Sequence, residues 1–165
     1  MTDVFFFTNN KDFKQCEAEY LEMKRLSKKG LIPKVGEFYT VGGIPRVSLK
    51  TKVDIDVWQY AIEPEQLLKI FRKYQKHGYL ADVLKDKALV KTEKGAYQIL
   101  DVNDLKKTND QGEYKKYLCK IYDFYYERKH ILDITGLFKK INLLPEEYKS
   151  YLLEKHLSSA GEKSK

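Results

Sequence analysis

The chain is short of arginine, cysteine, proline and tryptophan, and each shortage excludes something. Only four of its 31 basic residues are arginine, namely Arg25, Arg46, Arg72 and Arg128. The planar fork that reads base edges is therefore scarce, and the basic surface is built of lysine, a point charge that meets phosphate without reading sequence. The two cysteines, Cys16 and Cys119, form no C-x-x-C pair and no disulfide framework. With His77, His130 and His156 they are too scattered to make a zinc site, and no cofactor is implied. No apolar run approaches the roughly 18 residues of a membrane span. Phe5-Phe6-Phe7 follows Asp3 where a secretory leader would carry positive charge. The expectation is a cytoplasmic protein with no membrane association. No serine or cysteine stands beside a histidine in a nucleophile motif, which argues against acyl-transfer chemistry.

What is present begins with a net charge of +7 over 165 residues, spread through both halves rather than gathered in a tail. That excess makes nucleic acid, DNA or RNA, or an acidic protein surface the natural partner. Lysine bias, small size and 13 tyrosines suit a phage, a virus or another mobile element, although an AT-rich genome alone yields much lysine.

The most ordered stretch runs from Arg46 to Tyr60. Val47, Leu49, Val53, Ile55 and Val57 alternate with Arg46, Ser48, Lys50, Lys52, Asp54 and Asp56, the period of a strand with one buried face. Around it the sequence predicts a buried strand at Val4–Thr8 and a helix over 12–29 with its N-cap at Asn9-Asn10. A strand at Val35–Val41 turns back through Gly42-Gly43. A helix opens at Glu63-Pro64-Glu65 and ends at Gly78, a further short helical turn covers Tyr79–Lys85, and Ala88–Thr92 and Ala96–Leu100 flank a hairpin tip. The fold class is α+β: a mostly antiparallel sheet with two packed helices over residues 1–102. A linker at 103–112, a helical C-terminal unit at 113–157 and a disordered tail at 158–165 follow.

Function has to be argued from the surface. The leading expectation is a small basic nucleic-acid-binding or regulatory protein, more a binder than an enzyme. Its contacts would be Arg46, Lys50, Lys52, Trp58 and Tyr60 on the long strand, joined by Lys69, Arg72, Lys73 and Lys76 on the outer face of the second helix. The opposing expectation for Trp58 and Tyr60 is that they turn inward, since a lone tryptophan is more often packed than displayed. A second class is a protein-interaction module or inhibitor, with a homodimer among its forms, in which Tyr122 and Tyr126 on the tyrosine-rich helix make the contact. A third is a metal-dependent nuclease holding its ion on Asp54 and Asp56, which share a strand face. Such a site needs further acids, so a solvated face is the commoner outcome for two aspartates. A helix-turn-helix across Ile134–Leu157 is disfavoured, because Glu146 and Glu147 would meet phosphates at the start of its second helix.

Overall fold

The computed structural model describes residues 1–8, 11–126 and 134–163. It is an α+β fold with an antiparallel sheet, and the chain divides into two compact units, Met1–Thr108 and Asn109–Lys165. Among the described residues no helix is long and apolar enough to cross a membrane.

In the first unit the organising element is strand β3, Ile44–Asp54. Strand β1, Thr2–Phe6, pairs with it antiparallel, with Phe5 opposite Val47. Strand β2, Val35–Val41, also pairs antiparallel, with Phe38 opposite the same Val47, so β1 and β2 lie on opposite edges of β3. Strand β5, Leu89–Thr92, meets β3 only at its end, Val53 opposite Thr92 and Asp54 opposite Lys91. Val53 also pairs with Thr2, so β5 shares its edge of β3 with β2. That edge is forked. Strand β6, Tyr97–Ile99, completes the sheet beside β5.

Local chemistry accounts for the turns. Gly42 and Gly43 both adopt positive φ, +58° and +78°, closing the β2–β3 hairpin as a two-residue turn requires. Near the fork β2 carries an irregularity between Val35 and Phe38. A side chain at Gly36 would collide with Ser48 Oγ, which accepts a hydrogen bond from the Glu37 N–H at 2.7 Å.

Helix α1, Phe13–Lys28, starts at Asp12, not at the asparagines. Asp12 and Gln15 cap each other's backbone reciprocally, while Asn9 and Asn10 lie outside the described residues. Cys16, Met23 and Leu26 are its buried stripe. Helix α2, Pro64–Lys76, buries Leu67, Leu68, Ile70, Phe71 and Tyr74. Tyr74 is fully buried and stitches the core: its hydroxyl donates to the Leu31 carbonyl and accepts from the Ile99 N–H at 2.7 Å. Burial holds this phenol well above its ordinary value.

Several expectations need correction. Val4–Thr8 is not a fully buried strand: β1 ends at Phe6, whose ring is exposed under the Arg46 guanidinium at 4.9 Å. The alternation of β3 stops at Asp54, because Asp54 Oδ1 accepts the Asp56 N–H at 2.9 Å and turns the chain out of the ladder. Ile55 is consequently exposed and Val57 half-buried. The stretch after Gly78 is no helical turn but strand β4, Tyr79–Ala81, paired antiparallel with β7, Leu105–Lys107. β7 lies inside the stretch read as a linker, after a 3-10 turn at Val102–Asp104 that Asp101 caps. Polar composition there reflects short, solvent-facing structure with its own hydrogen bonds.

The second unit comprises α3, Gln111–Tyr126, α4, Ile134–Ile141, and α5, Pro145–Lys163. The sequence carries α3 on to Leu132, but residues 127–133 lie outside the described residues. α5 runs into the stretch read as a disordered tail, of which residues 164–165 lie outside the described residues. Asn142, at φ +59°, reverses the chain between α4 and α5. Tyr148 donates to Asp123 Oδ1 inside the unit, and Lys155 Nζ reaches Asp123 Oδ2 at 3.3 Å. Burial and this carboxylate hold the Tyr148 phenol high.

Tyr74→Phe leaves the Leu31 carbonyl and Ile99 N–H without their shared partner, and should cost about 1–3 kcal/mol in urea unfolding. An unfolded tyrosine loses its proton near pH 10, whereas buried Tyr74 keeps it. The stability it contributes is therefore present below pH 10 and lost as pH rises beyond it, and the phenylalanine variant should show a shallower alkaline decline.

Candidate anion-binding cleft

The fork in the β3 edge leaves residues 50–52 without a neighbouring strand. Non-ladder groups fill the gap: the Lys50 N–H donates to the Lys34 carbonyl at 2.8 Å, and the Lys52 N–H donates to Glu93 Oε1 at 3.1 Å. Two clefts open there. One, of about 340 Å³, is lined by Lys24, Ser27 and Lys28 from α1, Lys34 from the connector before β2, Val35 at the start of β2, and Lys50 from β3. The other, of about 220 Å³, shares Ser27 and Lys34 and continues past Gly30, Thr51, Thr92 and Gln98 to Lys94 at the β5–β6 hairpin tip.

Five lysines thus line the two clefts, and among the described residues neither lining contains a carboxylate. Clefts of one charge sign with low-dielectric walls focus potential. Lys24 lies with its ammonium 5.6 Å from the Tyr20 ring centroid. Like charges lining one cleft repel one another, and an anion seated among them would offset that repulsion.

The smaller cleft is braced at Gly30. Gly30, at φ +72°, ends the α1 turn, and its carbonyl accepts from Lys73 Nζ at 3.0 Å and Gln98 Nε2 at 3.1 Å, tying α2 and β6 to this point. Pro33 is buried beside it and donates no N–H to the sheet.

Of the residues the sequence singles out, Lys50 lines the larger cleft and Lys73 reaches the rim of the smaller one through Gly30. Lys52 is exposed on β3 beside Glu93. Arg46, Lys69, Arg72 and Lys76 line neither cleft. Arg46 is half-buried over Phe6, with its Nε making no hydrogen bond. Lys24, Ser27, Lys28, Lys34 and Lys94 escape sequence reading. The one local signal is the four-residue spacing of Lys24 and Lys28, which puts both on one face of α1.

Trp58 and Tyr60 do not turn inward. Trp58 precedes a 3-10 turn at Gln59–Ala61 and Tyr60 lies within it; they are 66% and 42% exposed, with ring centroids 5.9 Å apart and edge to face. Gln59 between them is buried and donates to the Lys85 carbonyl at 2.6 Å and the Val83 carbonyl at 3.4 Å. Lys85 in turn binds Asp104 at 2.6 Å, and burial raises the Asp104 carboxyl even with that ammonium beside it.

The other readings lose ground. Asp54 is engaged with the Asp56 backbone, and among the described residues no three of His, Cys, Asp or Glu converge to hold a metal. Tyr122 is 3% exposed, packed against Phe138 and Tyr148, so its ring is core and cannot meet a partner; Tyr126, stacked on it, is 55% exposed. α3 buries residues around most of its girth, which places Tyr122 on a second packed face. Both cysteines are buried, and burial pushes Cys16 up and Cys119 up to about 11, away from thiolate reactivity. No protein-family model matches this chain, and no curated protein matches it.

Gln59→Leu keeps the volume but strips the Val83 and Lys85 carbonyls of their donor. It should lower stability by about 1–3 kcal/mol in urea unfolding. An unchanged midpoint would mean that the turn is held by something other than Gln59.

Proposed function

We propose that this chain is a small nucleic-acid-binding protein that acts by binding rather than catalysis, gripping the phosphate backbone in the lysine clefts at the fork of β3. The observation that carries the reading is the cleft of about 340 Å³ walled by Lys24, Lys28, Lys34 and Lys50 with no carboxylate in its lining among the described residues. Continuation through Lys34 to Lys94 makes the positive surface longer than one small anion needs, and an extended polyanion fits it. Lysine in place of arginine implies affinity without sequence readout. A regulatory role follows where such binding covers or holds a strand.

The sequence alone pointed to a wider surface that included the outer face of α2. The reading proposed here keeps Lys50, Lys52 and Lys73, adds the lysines of α1, the connector and the hairpin tip, and leaves Lys69 and Lys76 as solvated charges.

Binding to a mixed-sequence oligonucleotide should weaken steeply as salt rises. Lys28→Gln with Lys50→Gln should weaken it across all sequences and make the logarithmic salt slope shallower by about one per lysine. Lys69→Gln with Lys76→Gln should leave affinity close to the parent protein in the same anisotropy titration. No binding at low salt, or equal losses in both pairs, would contradict the assignment.

A further inference from the structure

Trp58 and Tyr60 form an aromatic pair at the surface of the first unit. The rings of Phe5, Phe7, Phe13, Tyr20 and Phe38 contact one another where α1 meets the β1 and β2 edges, at centroid separations from 5.1 to 5.9 Å. Trp58 and Tyr60 contact each other and are exposed on either side of Gln59, the turn's first residue, which is anchored inside. Ile62, just after the turn, is buried, and Val57, just before it, is half-buried. Buried Gln59 at the start of the turn and buried Ile62 just after it make the turn a fixed mount. An indole left two-thirds exposed on a fixed mount forgoes burial and is preorganised for contact from outside.

We infer that Trp58 and Tyr60 form a stacking step for unpaired nucleobases, so that the protein prefers a single strand to a duplex. This rests on the phosphate-binding reading of the lysine clefts. A duplex presents phosphate and keeps the faces of its bases inside the stack, whereas a single strand offers both phosphate and open π-faces. The clefts and the aromatic step answer these two chemistries separately. Trp58 is eight residues beyond Lys50, a reach of at most roughly 28 Å along the chain. A strand of about eight nucleotides, at about 3.4 Å each when stacked, covers that distance. Exposed Lys52 lies between them, while exposed Asp56 repels a phosphate beside Trp58 and leaves the ring to a base. Stacking is tolerant of base identity, in keeping with lysine contacts that read no sequence.

Trp58 is the only tryptophan in the chain, so its fluorescence reports this place alone. The full chain is titrated at low salt with an oligothymidine of about eight nucleotides and with a duplex of equal length. The single strand should quench Trp58 emission and the duplex should not. Trp58→Ala should weaken single-strand binding by roughly fivefold to a hundredfold, the range expected for one stacked base, and leave duplex retention unchanged. Trp58→Phe should recover most of the loss, and circular dichroism of both variants should match the parent because the ring is exposed. If the single strand binds with the Lys28 and Lys50 dependence but Trp58 emission and Trp58→Ala affinity do not change, the stacking step is wrong and the phosphate clefts stand. If the duplex quenches as strongly as the single strand, the preference is wrong. If neither nucleic acid binds, the phosphate reading and the inference fall together.

Discussion

The first unit depends on how one strand shares its edge. β3 is 11 residues long, and on one edge it gives its first half to β2 and its last two residues to β5. Backbone polar groups left between the two partners still need hydrogen-bond partners, from protein or from water. The Lys34 carbonyl and the Glu93 carboxylate meet that need from outside the ladder. Because those groups come from a connector and a hairpin tip rather than a strand, the sheet surface opens there into clefts. The glycine carbonyl at position 30, held by Lys73 and Gln98, keeps the opening in shape.

Charge then decides what the opening suits. Lysines arriving from α1, the connector, β3 and the hairpin tip line two adjoining clefts, with no carboxylate in either lining among the described residues. A fold selected for stability alone gains by interspersing signs on its surface. Concentrating one sign trades stability for attraction to an anion. The aromatic step at Trp58 and Tyr60 makes a parallel trade, giving up apolar burial for display.

Much of the fold is legible in the sequence, and the limits have physical causes. Val47, Leu49 and Val53 are buried as their alternation requires, and Gly42-Gly43 closes the hairpin. α1 and α2 follow their apolar stripes at Cys16, Met23 and Leu26 and at Leu67, Leu68, Phe71 and Tyr74. Alternation does not reveal where a partner strand ends, so the reading carried β3 on to Tyr60, past the turn that Asp54 makes. Short strands such as β4 and β7 owe their existence to each other across 24 residues or more of sequence, beyond any local pattern. The cleft was hidden for a similar reason. Lys28 reads as an ordinary solvent-side helix residue, Lys34 as part of a connector and Lys94 as a hairpin tip, and only long-range packing brings them to Lys50. Tyr122 shows the opposite error: a tyrosine off the main stripe is still core when a helix is covered on two sides.

The central claim is that the fork of β3 is where nucleic acid is held. Backbone amide and indole N–H resonances of the full chain, followed during titration with a short single strand at low salt, test it most directly. The account predicts shifts concentrated at Lys24, Lys28, Lys34, Lys50 and Lys94 and at the Trp58 indole. Shifts confined to the outer face of α2 at Lys69 and Lys76, or to Asn109–Lys163, with the fork unmoved, would contradict it.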